Sequence, residues 1–182
     1  AYTIAGNVEK IAMVVAFGLA STASIIIGRE VGAGRADRIL DVGKTLNTLA
    51  VLGGLILGAL LLLFVRFAAP AWVYPLFKLS PGAAAVASMM MMVMALSMPL
   101  KDFNTVNIVG VLRGGGDVKA ATMIDIGPLW LVAIPYAALC GLVLKTTVLW
   151  VYLAFPLEQA VKFIIGIRRL HSGQWVRDLT RA

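Results

Sequence analysis

The chain alternates between long apolar runs and short polar segments, and the runs are of membrane-crossing length. They cover about 2–28, 45–65, 83–112, 123–144 and 147–167. A helix needs roughly 20 apolar residues to cross a hydrocarbon core of about 30 Å. The second run is the cleanest. The third carries Pro99, Lys101 and Asp102, the fourth Pro128 and Pro135, and the fifth Pro156 and Glu158. Between them lie the polar, Gly-rich GREVGAGRADRILDVGK (Gly28 to Lys44), a connector from Arg66 to Gly82 with Pro70, Pro75 and Pro81, the turn RGGGDVK (Arg113 to Lys119), a short link from Gly141 to Thr146, and a polar tail from Arg168 to Ala182. The pattern predicts an all-α membrane protein, a bundle of about five transmembrane helices.

Composition strengthens this reading. Hydrophobic residues make up 60% of the chain, charged residues 14%, and mean hydropathy is +0.92. A soluble domain has about 45–50% apolar and about 25% charged residues. The net charge of +7 does not mark a nucleic-acid protein, because the basic residues lie between apolar runs and not on one polar face. Cys140 is the only cysteine, so no disulfide can form within the chain.

The basic residues also orient the chain. One side receives Arg29, Arg35, Arg38, Lys44, Arg113, Lys119, Lys162, Arg168, Arg169, Arg177 and Arg181; the other receives Arg66, Lys78 and Lys145. The positive-inside rule then puts the first-to-second and third-to-fourth loops and the tail 168–182 in the cytoplasm, with the start of the chain outside. Without an initiator Met or a signal peptide, that start predicts a segment of a longer protein with helices ahead of Ala1. Trp72 and Trp150 fall near the outer boundary and Trp175 just past the last run, places suited to an aromatic belt or to packing.

A charge at the bilayer centre costs roughly 2.5–3.5 kcal/mol, so ionisable residues within the runs are the candidates for function. Asp102 stands first, as an acid deep in a span just after Pro99. The neighbouring Lys101 offers the rival reading of a structural ion pair. Glu9 and Lys10, preceded by Asn7, belong either to a cleft near its outer mouth or to a solvated interface; adjacent residues on a helix do not face each other. Asn104 and Asn107, one turn along, suit interhelical bonds or substrate contact. Pro99 predicts a kink that bares a carbonyl to a cavity, as a gating element or as simple packing. Arg113 and Asp117 are expected to cap or pair within the cytoplasmic turn. Asp125 and Glu158 are read as interfacial carboxylates. The run Met89 to Met92, with Met94 and Met98, suggests Cu(I), but no Cys or His accompanies it; adaptable packing or a lining for hydrophobic compounds is favoured. The Gly-rich turns lack a preceding strand and any GK[ST], so they are no nucleotide sites. No metal site, no catalytic residue and no enzyme activity are expected.

Two motifs carry a resemblance: a long helix ending in ASIIIGREVGAGRADR (Ala23 to Arg38) and another ending in NTVNIVGVLRGGGDVK (Asn104 to Lys119). In this order and spacing the chain resembles the MATE family, the multidrug and toxic compound extrusion transporters. The resemblance implies twelve helices in two six-helix lobes, of which residues 1–182 would be helices eight to twelve, a partial C-terminal lobe. Helix seven and the N-terminal lobe would then be the missing partner. Some members carry an acidic cation-binding residue in helix ten at the offset from the LRG turn that Asp102 has, eleven residues before Arg113. The activity implied is antiport: alternating access, exchanging organic, cationic or amphipathic compounds for H+ or Na+ without another cofactor, in a bacterial or archaeal cell membrane. A flippase of lipid-linked sugars from the same superfamily and a non-transporting structural subunit are the alternatives. The partners are the bilayer, a small organic substrate and the missing lobe, with no nucleic acid.

Overall fold

The computed structural model of the chain describes the backbone of residues 2–176 and the side chains from Gly6 onward within them, those of Ala36 and Asp37 excepted. Arg177 and Arg181, assigned to the cytoplasmic side by sequence, lie outside the described residues. Among the described residues, five helices are long and apolar enough to cross a membrane: α1 (Gly6–Gly32), α2 (Arg38–Leu76), α3 (Pro81–Leu112), α4 (Val118–Val143) and α5 (Val148–His171). Among the described residues no strand forms; Gly116 and Val176 make an isolated bridge.

The helix ends follow local chemistry. Gly34, at φ 68°, sits in the left-handed region that glycine reaches without a Cβ clash and closes α1. Ser80 starts α3: its side-chain oxygen accepts from the Ala83 N–H at 3.3 Å, and Pro81 takes the first helical position, where no N–H is needed. The Arg66–Gly82 connector expected from the sequence is shorter than predicted, because α2 runs on to Leu76. Pro70 does not break it; the backbone widens into a π-helical stretch over Phe64–Val73, which absorbs the missing N–H. Leu129–Ala133, directly after Pro128, behaves likewise. A further π stretch, Val106–Leu112, ends α3.

Two seams of small residues set the packing. On α2, Ala50, Gly54 and Gly58 repeat every fourth residue and face α3. A Cβ on Gly54 would lie 2.6 Å from the Pro99 Cα, and one on Gly58 would lie 2.5 Å from the Ala95 carbonyl oxygen. Gly110 of α3, and Gly114 just past its end, press on Ala20, Ala23 and Ser24 of α1. Lipid is as apolar as leucine, so close backbone approach, not the hydrophobic effect, holds such helices together. Met90, Met91, Met94 and Met98 are buried with Leu61, Val65 and Tyr74 in one core cluster. Outward-facing side chains stay apolar, as on α4, where Leu131 and Leu142 are 79% and 76% exposed; a water-facing helix would carry polar groups there.

The first-to-second loop, the third-to-fourth turn and the chain after α5 gather at one end. Trp175 is fully buried there. Its ring lies against Gly43 and Gly115, and its Nε1–H donates to the Leu170 carbonyl at 2.9 Å. The tail is thus packed, as far as Val176, under the bundle.

Candidate functional site

Along the face made by α1, α3 and α5, the ionisable side chains of the spans come together. Glu9 of α1 pairs with Lys101 of α3. One turn further along α3, the Asn104 amide donates to both the backbone and the side-chain oxygen of Gln159 on α5, each at 2.9 Å. One more turn of α5 brings Lys162, which contacts Glu158 at 2.7 Å and Asp125 of α4 at 2.9 Å. Arg113 lies 3.5 Å from the other Asp125 oxygen. Glu158 and Lys162 are buried, where removing one partner of a pair typically costs about 3–5 kcal/mol.

Two cavities open on this face and share Lys101 and Gln159. The first, about 80 Å³, lies between Glu9, Ser97, Tyr152 and Phe155. The second, about 250 Å³, is lined by Asn104, Asp125 and Lys162 together with Met13, Phe17 and Ile108. Both linings mix charged, polar and apolar side chains, the composition of a site for an amphipathic molecule.

Several expectations change. Lys101 pairs with Glu9 and not with its neighbour Asp102, because successive residues point about 100° apart. Asp102 is buried on the stripe of Met91, Ala95 and Met98, which faces α2, and its Oδ1 has no hydrogen-bond partner among the described residues. Asn107 is fully buried, away from both cavities. It accepts from the Asn47 amide of α2 at 3.2 Å, and Gly166 of α5 leaves room for it. Asn104 both bridges helices and lines a cavity. Asn7 and Lys10 are exposed; Lys10 borders a further cavity with Glu9 and Phe17. The carbonyl freed by Pro99, that of Ala95, does not open to a cavity: Gly58 covers it, with a Cα–H aimed at the oxygen. Arg113 and Asp117 do not pair with each other. Arg113 turns to Asp125, and Asp117 bonds Arg169 Nε at 2.8 Å.

Sequence reasoning missed Lys162 as a site residue, counting it with the cytoplasmic cations. Its signal was present: Glu158 and Lys162 stand four apart, the spacing of a helical ion pair. Asp125 and Glu158, read as separate interfacial acids, are joined through it.

Known proteins share this sequence pattern. The MatE family model matches residues 1–139. The chain is 28% identical over 102 residues to the "Uncharacterized transporter YisQ" of Bacillus subtilis, 56% of this chain and 22% of that protein. It is 26% identical over 125 residues to "Protein DETOXIFICATION 15" of Arabidopsis thaliana, covering 69% and 25%, and 29% identical over 139 residues to "Protein DETOXIFICATION 18" of the same plant, covering 76% and 28%. The chain spans about a quarter of the length of these relatives. No solved structure matches it significantly.

Proposed function

The chain belongs to the MatE family, and from that premise we propose that the complete protein is a secondary transporter. It exchanges organic, cationic or amphipathic compounds for H+ or Na+ by alternating access, in the cell membrane, with this segment supplying helices eight to twelve of a twelve-helix protein. The observation that carries the reading is the convergence of Glu9, Lys101, Asp125, Glu158 and Lys162 on one cavity-bearing face of the spans. Intramembrane charge is costly, and a purely structural subunit gains nothing from gathering it beside cavities. Lys101 and Lys162 are each matched by a carboxylate, which disfavours a flippase for polyanionic lipid-linked sugars. Transport makes and breaks no bond, so the protein is not an enzyme on this reading.

Asp102 is the cation-coupling residue in this proposal. It is a buried acid with an unpartnered oxygen, at the offset from the LRG turn that the family resemblance marks. The test uses the complete protein in proteoliposomes, with export of a fluorescent organic cation followed under imposed H+ or Na+ gradients. Asp102→Asn keeps the shape, removes the charge and is expected to abolish gradient-driven export while leaving insertion intact. Export at the normal rate with normal dependence on the gradient would rule Asp102 out.

A further inference from the structure

At the end that the basic residues assign to the cytoplasm, α4 and α5 leave an open groove of about 440 Å³ between them. Its residues are sorted by depth. The two helices run in opposite directions: α4 enters the membrane after Val118, and α5 leaves it at His171. Met123 of α4 and Ile165 of α5 therefore lie deeper than Ala120 and Arg168, by about one helical turn, or about 5.4 Å. Met123 and Ile165 are 64% and 42% exposed.

The shallow end carries unmatched positive charge. Arg169 is engaged: its Nε bonds Asp117 at 2.8 Å, and its Nη1 donates to Gln174 Oε1 at 2.8 Å. Its neighbour Arg168 is exposed and belongs to none of the ion pairs among the described residues. The same holds for Lys119 of α4. Lys119 stands four residues before Met123, and Arg168 three after Ile165. Each cation thus shares a helix face with the apolar residue one turn deeper. Gln174 also lines the groove; with its oxygen held by Arg169, its Nε2 remains a donor. Among the described residues no acid lines the groove.

Cations alone would suit a simple anion, and exposed apolar side chains alone would suit any lipid tail. The two in succession along the membrane normal suit a molecule that carries both. A guanidinium matches phosphate oxygens in paired hydrogen bonds, and the cytoplasmic leaflet is where anionic lipids attract basic side chains. We propose that this groove binds an anionic phospholipid of the cytoplasmic leaflet. Arg168 and Lys119 hold the headgroup phosphate, Gln174 Nε2–H donates to it, and one acyl chain lies along Met123 and Ile165. Arg169 and Gln174 belong to the segment that packs Trp175 under the bundle, so the bound lipid ties that segment to the membrane surface. The inference holds whether or not the complete protein transports.

The experiment uses the complete protein, stripped of lipid in detergent, with bound lipid counted by native mass spectrometry. Dioleoylphosphatidylglycerol is titrated against dioleoylphosphatidylcholine, which has the same chains and no net charge. The anionic lipid should bind roughly tenfold more tightly, and Arg168→Gln should lose roughly tenfold for it alone, the scale of a charge-assisted hydrogen bond. Arg38→Gln removes the same charge from the same side of the membrane, on α2 and outside the groove. At a salt concentration of about 0.15 M, which screens distant charges, it should stay within about twofold of the wild type. Ala120→Leu fills the groove and should weaken both lipids. Equal losses in Arg168→Gln and Arg38→Gln would show diffuse charge and overturn the site. So would equal affinity for the two lipids, or no lipid bound because other helices of the complete protein cover the groove. Displacement of the anionic lipid by an equal concentration of inorganic phosphate would make this an anion site and overturn the lipid.

Discussion

Gly54 and Gly53 are neighbours on α2, yet alanine at the two positions should have opposite effects. A Cβ on Gly54 would lie 2.6 Å from Pro99 Cα, 2.8 Å from the Met98 carbonyl oxygen and 2.9 Å from Pro99 N. Carbon atoms prefer about 3.5–4.0 Å, so the shortfall is about 1 Å. All three atoms are backbone, so no side-chain rotation relieves it; α2 and α3 must separate. Overpacking of this kind costs roughly 1–3 kcal/mol, and a glycine-to-alanine change within a helix returns about 0.8–1.0 kcal/mol. The net loss for Gly54→Ala is then about 0–2 kcal/mol. A Cβ on Gly53 meets nothing within 4 Å, so Gly53→Ala keeps the propensity gain of about 1 kcal/mol. The two variants should differ by the overpacking cost, about 1–3 kcal/mol, in denaturant unfolding of the complete protein in mixed micelles. If Gly54→Ala is as stable as Gly53→Ala, the α2–α3 seam is not packed as described.

Two other outcomes are open to simple measurements. Trp175→Ala empties the fully buried socket against Gly43 and Gly115 and should cost about 3–5 kcal/mol by the same unfolding assay; a loss under 1 kcal/mol would mean that the tail does not pack there. With Cys140 replaced, single cysteines at Ala36 and Ser172 should react only with reagents that reach the cytoplasm, and one at Ser80 only with reagents outside. Labelling of Ala36 and Ser80 from the same side would sink the five-span topology.

The spans were legible because an apolar run of about twenty residues fits little besides a membrane helix, and the resemblance drawn from the GREVGAGRADR and LRGGGDVK ends agrees with the family match to residues 1–139. Helix length was less legible: prolines read as breaks, but π turns carry α2 through Pro70 to Leu76. The ion pairs were hardest. Glu9 and Lys101 are far apart in the chain, and only the packing of α1 on α3 joins them. The Gly54 and Gly58 contacts were hidden for a similar reason. A glycine's function at a helix seam depends on the helix opposite, and the chain pattern does not show which helix that is. Lys162 was misread because a basic residue near the end of an apolar run looks like a boundary marker until Glu158, one turn before it, is counted as its partner.

Charge matching separates Asp102 from the rest. Glu9 is matched by Lys101, and Asp125 with Glu158 by Lys162 with Arg113. Asp102 belongs to none of these pairs and keeps an orphan oxygen. A buried carboxylate oxygen in that state lacks a compensating partner, and in the proposed transport cycle the coupling ion would supply it. It also faces a different surface from the cavity residues: Lys101 and Asn104 line the cavities, while Asp102 lies on the α2-facing stripe one turn from Pro99 and Met98, where Gly54 meets α3. In the proposed transport cycle an ion on Asp102 would act on the α2–α3 seam, and a ligand in the cavity would act on the α3, α4 and α5 side. Both are tied to one helix, α3, so coupling requires that each bias the same displacement of it. On this reading Asp102→Asn leaves binding in the cavity measurable and removes its dependence on the coupling ion. If binding in Asp102→Asn still shifts with H+ or Na+ as in the wild type, the seam is not the route by which the two sites are linked.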